Sequence, residues 1–148
     1  MEALSGFDSL FISLETPNMH MHVGSVNVFD GSLEYDKFRA LIASRVHLIP
    51  SFRQRLVGVP CGLDRPMWVD DPDFNLDLHL QHVALPAPGG WAELRHLAAR
   101  IFSDPLDRGR PLWQMVFVEG LDTLQRVPPG SVAIITKIHH AAVDGISG

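Results

Sequence analysis

A chain of 148 residues, 46% of them hydrophobic and with a mean hydropathy of +0.10, is long enough to bury one core and too apolar to remain disordered. Its net charge of -5 at pH 7, with lysines and arginines scattered, offers no phosphate-tracking face and argues against a nucleic-acid partner. The single cysteine, Cys61, excludes an internal disulfide or paired-cysteine metal framework and suits a reducing, cytoplasmic setting. No apolar run approaches the roughly 20 residues that span a bilayer, and the opening residues lack an export leader.

Ser5-Gly6-Phe7-Asp8 resembles a capping box with Asp in place of Glu, ahead of Leu10, Phe11 and Leu14, and predicts a short opening helix that Pro17 stops. Met21 to Phe29 is Val-rich and reads as a strand ending at Asp30-Gly31. Phe38, Leu41, Ile42, Val46 and Ile49 then recur at helical spacing up to Pro50. Arg53 to Val59 and Met67 to Val69 flank a turn-prone Pro60-Cys61-Gly62-Leu63-Asp64 and predict a hairpin.

Leu76, Leu78 and Leu80 alternate with Asp77, His79 and Gln81, the pattern of a half-buried strand. Pro86 to Gly90 is a loop. Leu94, Leu97, Ala98, Ile101 and Phe102 mark an amphipathic helix closed by Asp104-Pro105. Trp113 to Glu119 and Ser131 to His139 are continuous apolar, β-rich runs that predict central strands, joined through an exposed Arg126 to Gly130 segment. The expected architecture is mixed α/β, a mixed sheet flanked by helices, without internal repeats.

The densest chemistry lies at the carboxyl end, where Lys137-Ile138-His139-His140-Ala141-Ala142-Val143-Asp144-Gly145 spells HHxxxDG after an apolar strand. Successive strand residues face opposite ways, so only one imidazole enters a cavity if the strand runs through both. A neutral histidine near its ordinary pKa of about 6.5 accepts a proton from a hydroxyl, worth roughly 10² to 10⁴ in rate. Asp144 is placed either to orient that imidazole or to hold the loop through an arginine, and Gly145 allows backbone geometry that a side chain opposes. Group transfer to a hydroxyl or amine is the leading reading.

Other clusters carry less. Met19-His20-Met21-His22 lacks third and fourth ligands and reads as a strand entering the core, not a copper or zinc site. Trp68, Trp91 and Trp113 have no interleaved basic residues and read as packing or interface aromatics. Asp70 and Asp71 precede Pro72, where solvated loop carboxylates are expected.

Beyond HHxxxDG, three segments carry a family resemblance: Leu14-Glu15-Thr16-Pro17 with Met21-His22-Val23-Gly24, Trp68-Val69-Asp70-Asp71-Pro72-Asp73-Phe74, and Pro111-Leu112-Trp113. Together they make the chain similar to the bifunctional wax ester synthase/acyl-CoA:diacylglycerol acyltransferase family, within the group that shares the chloramphenicol acetyltransferase-like fold. HHxxxDG alone also fits peptide-synthetase condensation domains.

The resemblance implies acyl-CoA as co-substrate and donor, with a diacylglycerol or long-chain alcohol as acceptor and no permanently bound cofactor or metal. It implies His140 as general base and His139 as its neighbour. Asp144 and Gly145 become structural supports, with Arg53 or Arg55 as the aspartate's partner, and Pro111-Leu112-Trp113 a structural signature. It indicates no CoA-binding residues. Residues 1–148 then read as the N-terminal acyltransferase subdomain, cut just after the motif and lacking a C-terminal subdomain that completes the site. The substrates imply peripheral association with membrane or lipid inclusions. The rival expectation is an inactive fragment that binds lipid or a partner through an uncovered sheet.

Overall fold

The computed structural model describes residues 2–31, 33–59 and 64–144. In chain order they form β1 (Glu2–Ala3), α1 (Gly6–Leu14), β2 (His22–Phe29), α2 (Tyr35–Arg45), β3 (Gln54–Val57) and β4 (Met67–Asp70). These are followed by β5 (Leu80–Ala84), α3 (Trp91–Ser103), β6 (Trp113–Glu119), β7 (Val132–His139) and α4 (His140–Asp144). One sheet has the order β2-β7-β6-β5, with β5 parallel to β6 and the other pairs antiparallel; a smaller antiparallel sheet has the order β1-β4-β3. The mixed sheet and the β3-β4 hairpin are as expected, although the hairpin's turn residues 60–63, Cys61 among them, lie outside the described residues.

Strand alternation divides the apolar residues of the larger sheet between two cores. Val116 and Val118 of β6 and Ala133 and Ile135 of β7 face α3, where Leu94, Ala98 and Ile101 complete one layer. Trp113 and Phe117 of β6 and Val132 and Ile134 of β7 face the opposite side, against Phe38 of α2 and Phe52. Both central strands are thus apolar on both faces, which is why they read as unbroken runs. A third cluster, Leu4, Trp68, Leu112, Ala141 and Ala142, joins the small sheet to α4.

Helix starts follow local polar chemistry. The Ser5 hydroxyl accepts the Asp8 N–H at 3.1 Å and itself donates to the Asp8 carboxylate. The shorter acid meets the hydroxyl where a glutamate would reach the Ser5 backbone N–H. At α3, the Gly90 N–H donates to the Glu93 carboxylate at 2.8 Å.

Two expectations are corrected. The helix predicted up to Ile49 stops at Arg45, and Val46–Leu48 and Pro50–Phe52 form separate 3₁₀ turns. Proline, lacking an N–H, suits the opening of such a turn. The strand predicted through Leu76, Leu78 and Leu80 begins only at Leu80, because Leu76–Leu78 is a 3₁₀ turn capped by the Asn75 side chain, which accepts the Asp77 N–H at 3.0 Å. Over one short turn, leucines two apart look like a strand.

Candidate functional site: the junction of β7 and α4

Lys137 and His139 lie on the α3-facing side of β7, two residues apart, and each meets a different polar need. The α3 C-terminus leaves carbonyls without helical partners. Lys137 Nζ donates to the Ile101 carbonyl at 2.7 Å and the Asp104 carbonyl at 2.9 Å. His22 Nε2 donates to the Phe102 carbonyl at 3.0 Å and His20 Nε2 to the Ser103 carbonyl at 2.8 Å, with the two imidazoles stacked at 5.3 Å. Two histidines and a buried lysine therefore cap four successive carbonyls, which is what the i, i+2 spacing of His20 and His22 serves. Burial holds the Lys137 ammonium below its ordinary pKa, and burial followed by the Lys137 charge does the same to His22. Gly24, opposite Lys137 on β2, makes room for the helix end, since a Cβ there would lie 2.1 Å from the Phe102 ring.

His139 is 1% exposed. Its Nδ1 accepts the Ala141 N–H at 3.1 Å, so the neutral ring carries its proton on Nε2. Nε2 lies 3.7 Å from Glu15 Oε2 and makes no hydrogen bond among the described residues. Glu15, just past the end of α1 and 9% exposed, is held by Arg108, whose Nε and Nη2 donate to Oε2 at 3.0 and 2.6 Å. Arg108 Nη2 also reaches the Ile12 carbonyl at 2.9 Å, and Met21 N–H donates to Glu15 Oε1 at 3.4 Å. Burial alone would raise the Glu15 pKa, but the Arg108 hydrogen bonds and the neighbouring charges hold it below the ordinary value. Burial is the main cause that drives His139 down to about 4, with Arg108, His140 and His22 acting in the same sense against the attraction of Glu15.

His140 is the first residue of α4 and only half-buried. Its N–H donates to the Met21 carbonyl at 2.9 Å, and its ring stacks on Phe11 of α1 at 4.8 Å between centroids. The strand thus does not run through both histidines, so the condition for strand alternation between them is not met. It ends at His139 and passes straight into a helical turn, and burial separates the two rings: one sealed, one within reach of the outside. The Ser51 hydroxyl donates to the Ala142 carbonyl at 3.1 Å from below.

Asp144 closes α4, and its side chain and Gly145 lie outside what is described. The guanidinium of Arg53 sits 5.7 Å over the Phe74 ring. Arg55 Nε lies 3.9 Å from Asp71, which is 8% exposed and also accepts the Asp73 N–H at 3.2 Å. Asp71 is therefore an enclosed structural carboxylate, not the solvated loop acid expected. Trp113 is fixed within the second core: its Nε1 donates to the Phe52 carbonyl at 2.9 Å, and it stacks on Phe52 and on His79, whose Nδ1 donates to the Trp113 carbonyl. Leu112 is buried and its carbonyl accepts the His139 N–H at 3.0 Å, so Pro111-Leu112-Trp113 holds the end of β7 by packing and hydrogen bonding together. Trp68 is buried like Trp113, whereas Trp91 is exposed. Glu15, Arg108 and Lys137, which pack around this junction, were not named as candidate site residues from the sequence; a carboxylate two residues before Pro17 and a lysine inside an apolar strand were the available signals.

The model for the wax ester synthase/diacylglycerol acyltransferase catalytic domain matches residues 4–148. A Mycobacterium tuberculosis protein that carries a provisional name as a diacylglycerol O-acyltransferase is 43% identical over 151 residues, covering 99% of this chain and 31% of its own length. A second protein of that organism, similarly named, is 37% identical, with 97% and 52% covered. The solved wax ester synthase/diacylglycerol acyltransferase of Marinobacter aquaeolei VT8 superposes with a TM-score of 0.76 at 33% identity, over 99% of this chain and 35% of that one. The starter condensation domain of rhizomide synthetase, solved with C8-CoA, shares the fold at a TM-score of 0.73 and 14% identity, over 95% of this chain and 31% of that one. The chain spans about a third of the length of the first of these relatives. On the family match and the near-complete coverage by these relatives, the chain belongs to the wax ester synthase/diacylglycerol acyltransferase catalytic-domain family.

Proposed function

We propose that this chain supplies the base-bearing part of an O-acyltransferase that moves a fatty acyl group from acyl-CoA to a diacylglycerol or a long-chain alcohol. His140 is the general base. It takes the acceptor hydroxyl's proton as the oxygen attacks the thioester carbonyl; collapse of the tetrahedral intermediate breaks the C–S bond, and the imidazolium returns the proton to sulfur. No covalent acyl-enzyme forms. The observation that carries this reading is the asymmetry of the motif: His139 is sealed and neutral with its Nδ1 already occupied, while the half-buried His140 ring is the imidazole left for a substrate.

Asp144 and Gly145 brace the turn, with Arg53 or Arg55 as the aspartate's partner. Residues 1–148 act as an N-terminal subdomain, and the region that relatives carry beyond the matched length completes the channel and most of the CoA site. No described helix is long and apolar enough to cross a membrane. The lipid substrates of this reading imply peripheral association with a membrane or lipid inclusion.

The decisive experiment assays the native gene product with labelled acyl-CoA, offering diacylglycerol and hexadecanol in competition. His140→Ala should cut turnover by roughly 10² or more with the fold intact. Near-normal turnover in that variant would refute the assignment. The second reading, a lipid- or partner-binding module without turnover, is favoured by the exposed apolar Val23, Val26 and Phe29 along edge strand β2. Binding of acyl-CoA or lipid with no product from either acceptor would establish it.

A further inference from the structure

A buried carboxylate that almost touches the first motif histidine, yet belongs to an arginine, needs an explanation beyond packing. Glu15, Arg108 and His139 come from three separate places in the chain: the end of α1, the loop after α3, and the end of β7. Arg108 donates from Nε and Nη2 to one Glu15 oxygen, and that same oxygen faces His139 Nε2 at 3.7 Å. The other side of the ring, Nδ1, accepts the Ala141 N–H and so closes the turn into α4. Only an uncharged ring makes that bond, because a protonated imidazole has two donors and no acceptor.

We propose that Glu15 and Arg108 are positioning residues of this motif: Arg108 neutralises and orients the buried carboxylate, the carboxylate orients the His139 ring, and the uncharged ring closes the turn that presents His140. The chain of contacts is directional. Without Arg108, the nearest group able to neutralise Glu15 is His139, and a proton taken there dismantles the Ala141 bond and sets a positive charge beside His140. Among the described residues, the titratable and charged groups that act on the ring are Glu15, Arg108, His140 and His22, and of these only Glu15 favours its protonation. The proposal rests on His140 as base for its effect on rate, and on geometry alone for the state of the His139 ring.

The test compares Glu15→Gln, Arg108→Met, Arg108→Lys and His140→Ala in the native gene product, with steady-state kinetics from pH 5.5 to 8.5 and ¹⁵N-resolved NMR of the His139 ring. Glu15→Gln should lower kcat roughly tenfold or more, with KM for acyl-CoA within about twofold, since misplacing a reacting group costs turnover first. Arg108→Met should lose activity on the acid side and recover towards the wild-type rate as pH rises; Arg108→Lys should restore part of the loss. In the wild type the His139 ring should stay neutral with its proton on Nε2 throughout, and in Arg108→Met it should gain a proton at higher pH. A ring that titrates at the same midpoint in both overturns the proposal whatever the rates do. Unchanged kcat in Glu15→Gln beside an inactive His140→Ala overturns it too, while leaving His140 as the base. An active His140→Ala overturns the base reading instead, and the ring titration then decides the positioning chain.

Discussion

Acidification should weaken this fold through one imidazole, by an amount that the structure sets. An ordinary histidine titrates near 6.5, whereas burial holds His139 at about 4. Between those values the unfolded chain takes up a proton that the folded one refuses, so stability is complete above pH 6.5, falls as pH drops and levels off near pH 4. The gap of about 2.5 pH units, at about 1.4 kcal/mol each, gives about 3–4 kcal/mol in full, of which about 3 kcal/mol is lost by pH 4. Urea unfolding of the native gene product at pH 7 and pH 4 should show this loss relative to His139→Asn, whose amide oxygen still accepts the Ala141 N–H. His22 and His79 are also held below their ordinary values by burial first and lose stability in the same direction, but they remain in both proteins and cancel in the difference. Equal losses in wild type and variant would refute the reasoning, because His139 would then be solvated or charged in the folded state.

Other outcomes follow from the helix cap and the second core. Lys137→Met removes the donor shared by the Ile101 and Asp104 carbonyls; with the relieved cost of burying an ammonium as an offset, it should destabilise by about 2 kcal/mol and speed amide exchange in the last turn of α3. Gly24→Ala should cost about 1–3 kcal/mol, and Phe102→Leu should recover part of it in a double-mutant cycle, since the added methyl meets the Phe102 ring. Trp113→Phe leaves the buried Phe52 carbonyl without its donor and should cost about 1–3 kcal/mol in unfolding free energy. Asp144→Asn should reduce melting temperature more than proton transfer; unchanged melting with lost turnover would return the aspartate to an orienting role.

Much of the fold was legible because its central strands are apolar on both faces and α1 begins with a polar side-chain cap. Trp113–Glu119, Val132–His139 and Trp91–Ser103 announce themselves by composition and period. What escaped reading is what forms only across the chain. Leu76–Leu78 alternates like a strand, yet an asparagine cap turns it into a 3₁₀ turn. His20 and His22 read only as part of a strand entering the core until the end of α3, some 80 residues away, arrives beside them. HHxxxDG marks the junction of β7 and α4, but the Glu15–Arg108 pair that meets His139 there joins residues 93 apart that carry no shared pattern.

The capped end of α3 also works as a gauge for pairing. Lys137 sits on β7, His22 on β2 and His20 just before β2, yet all three donate into one set of carbonyls. Sliding β2 by a single residue past β7 would turn His22 to the wrong face and put Val23 beside Lys137's partners, leaving the helix end bare. An edge strand with exposed valines and a glycine has little else to forbid such slippage. The histidine pair therefore acts as an alignment pin, and the same alignment places the Met21 carbonyl where the His140 N–H finds it.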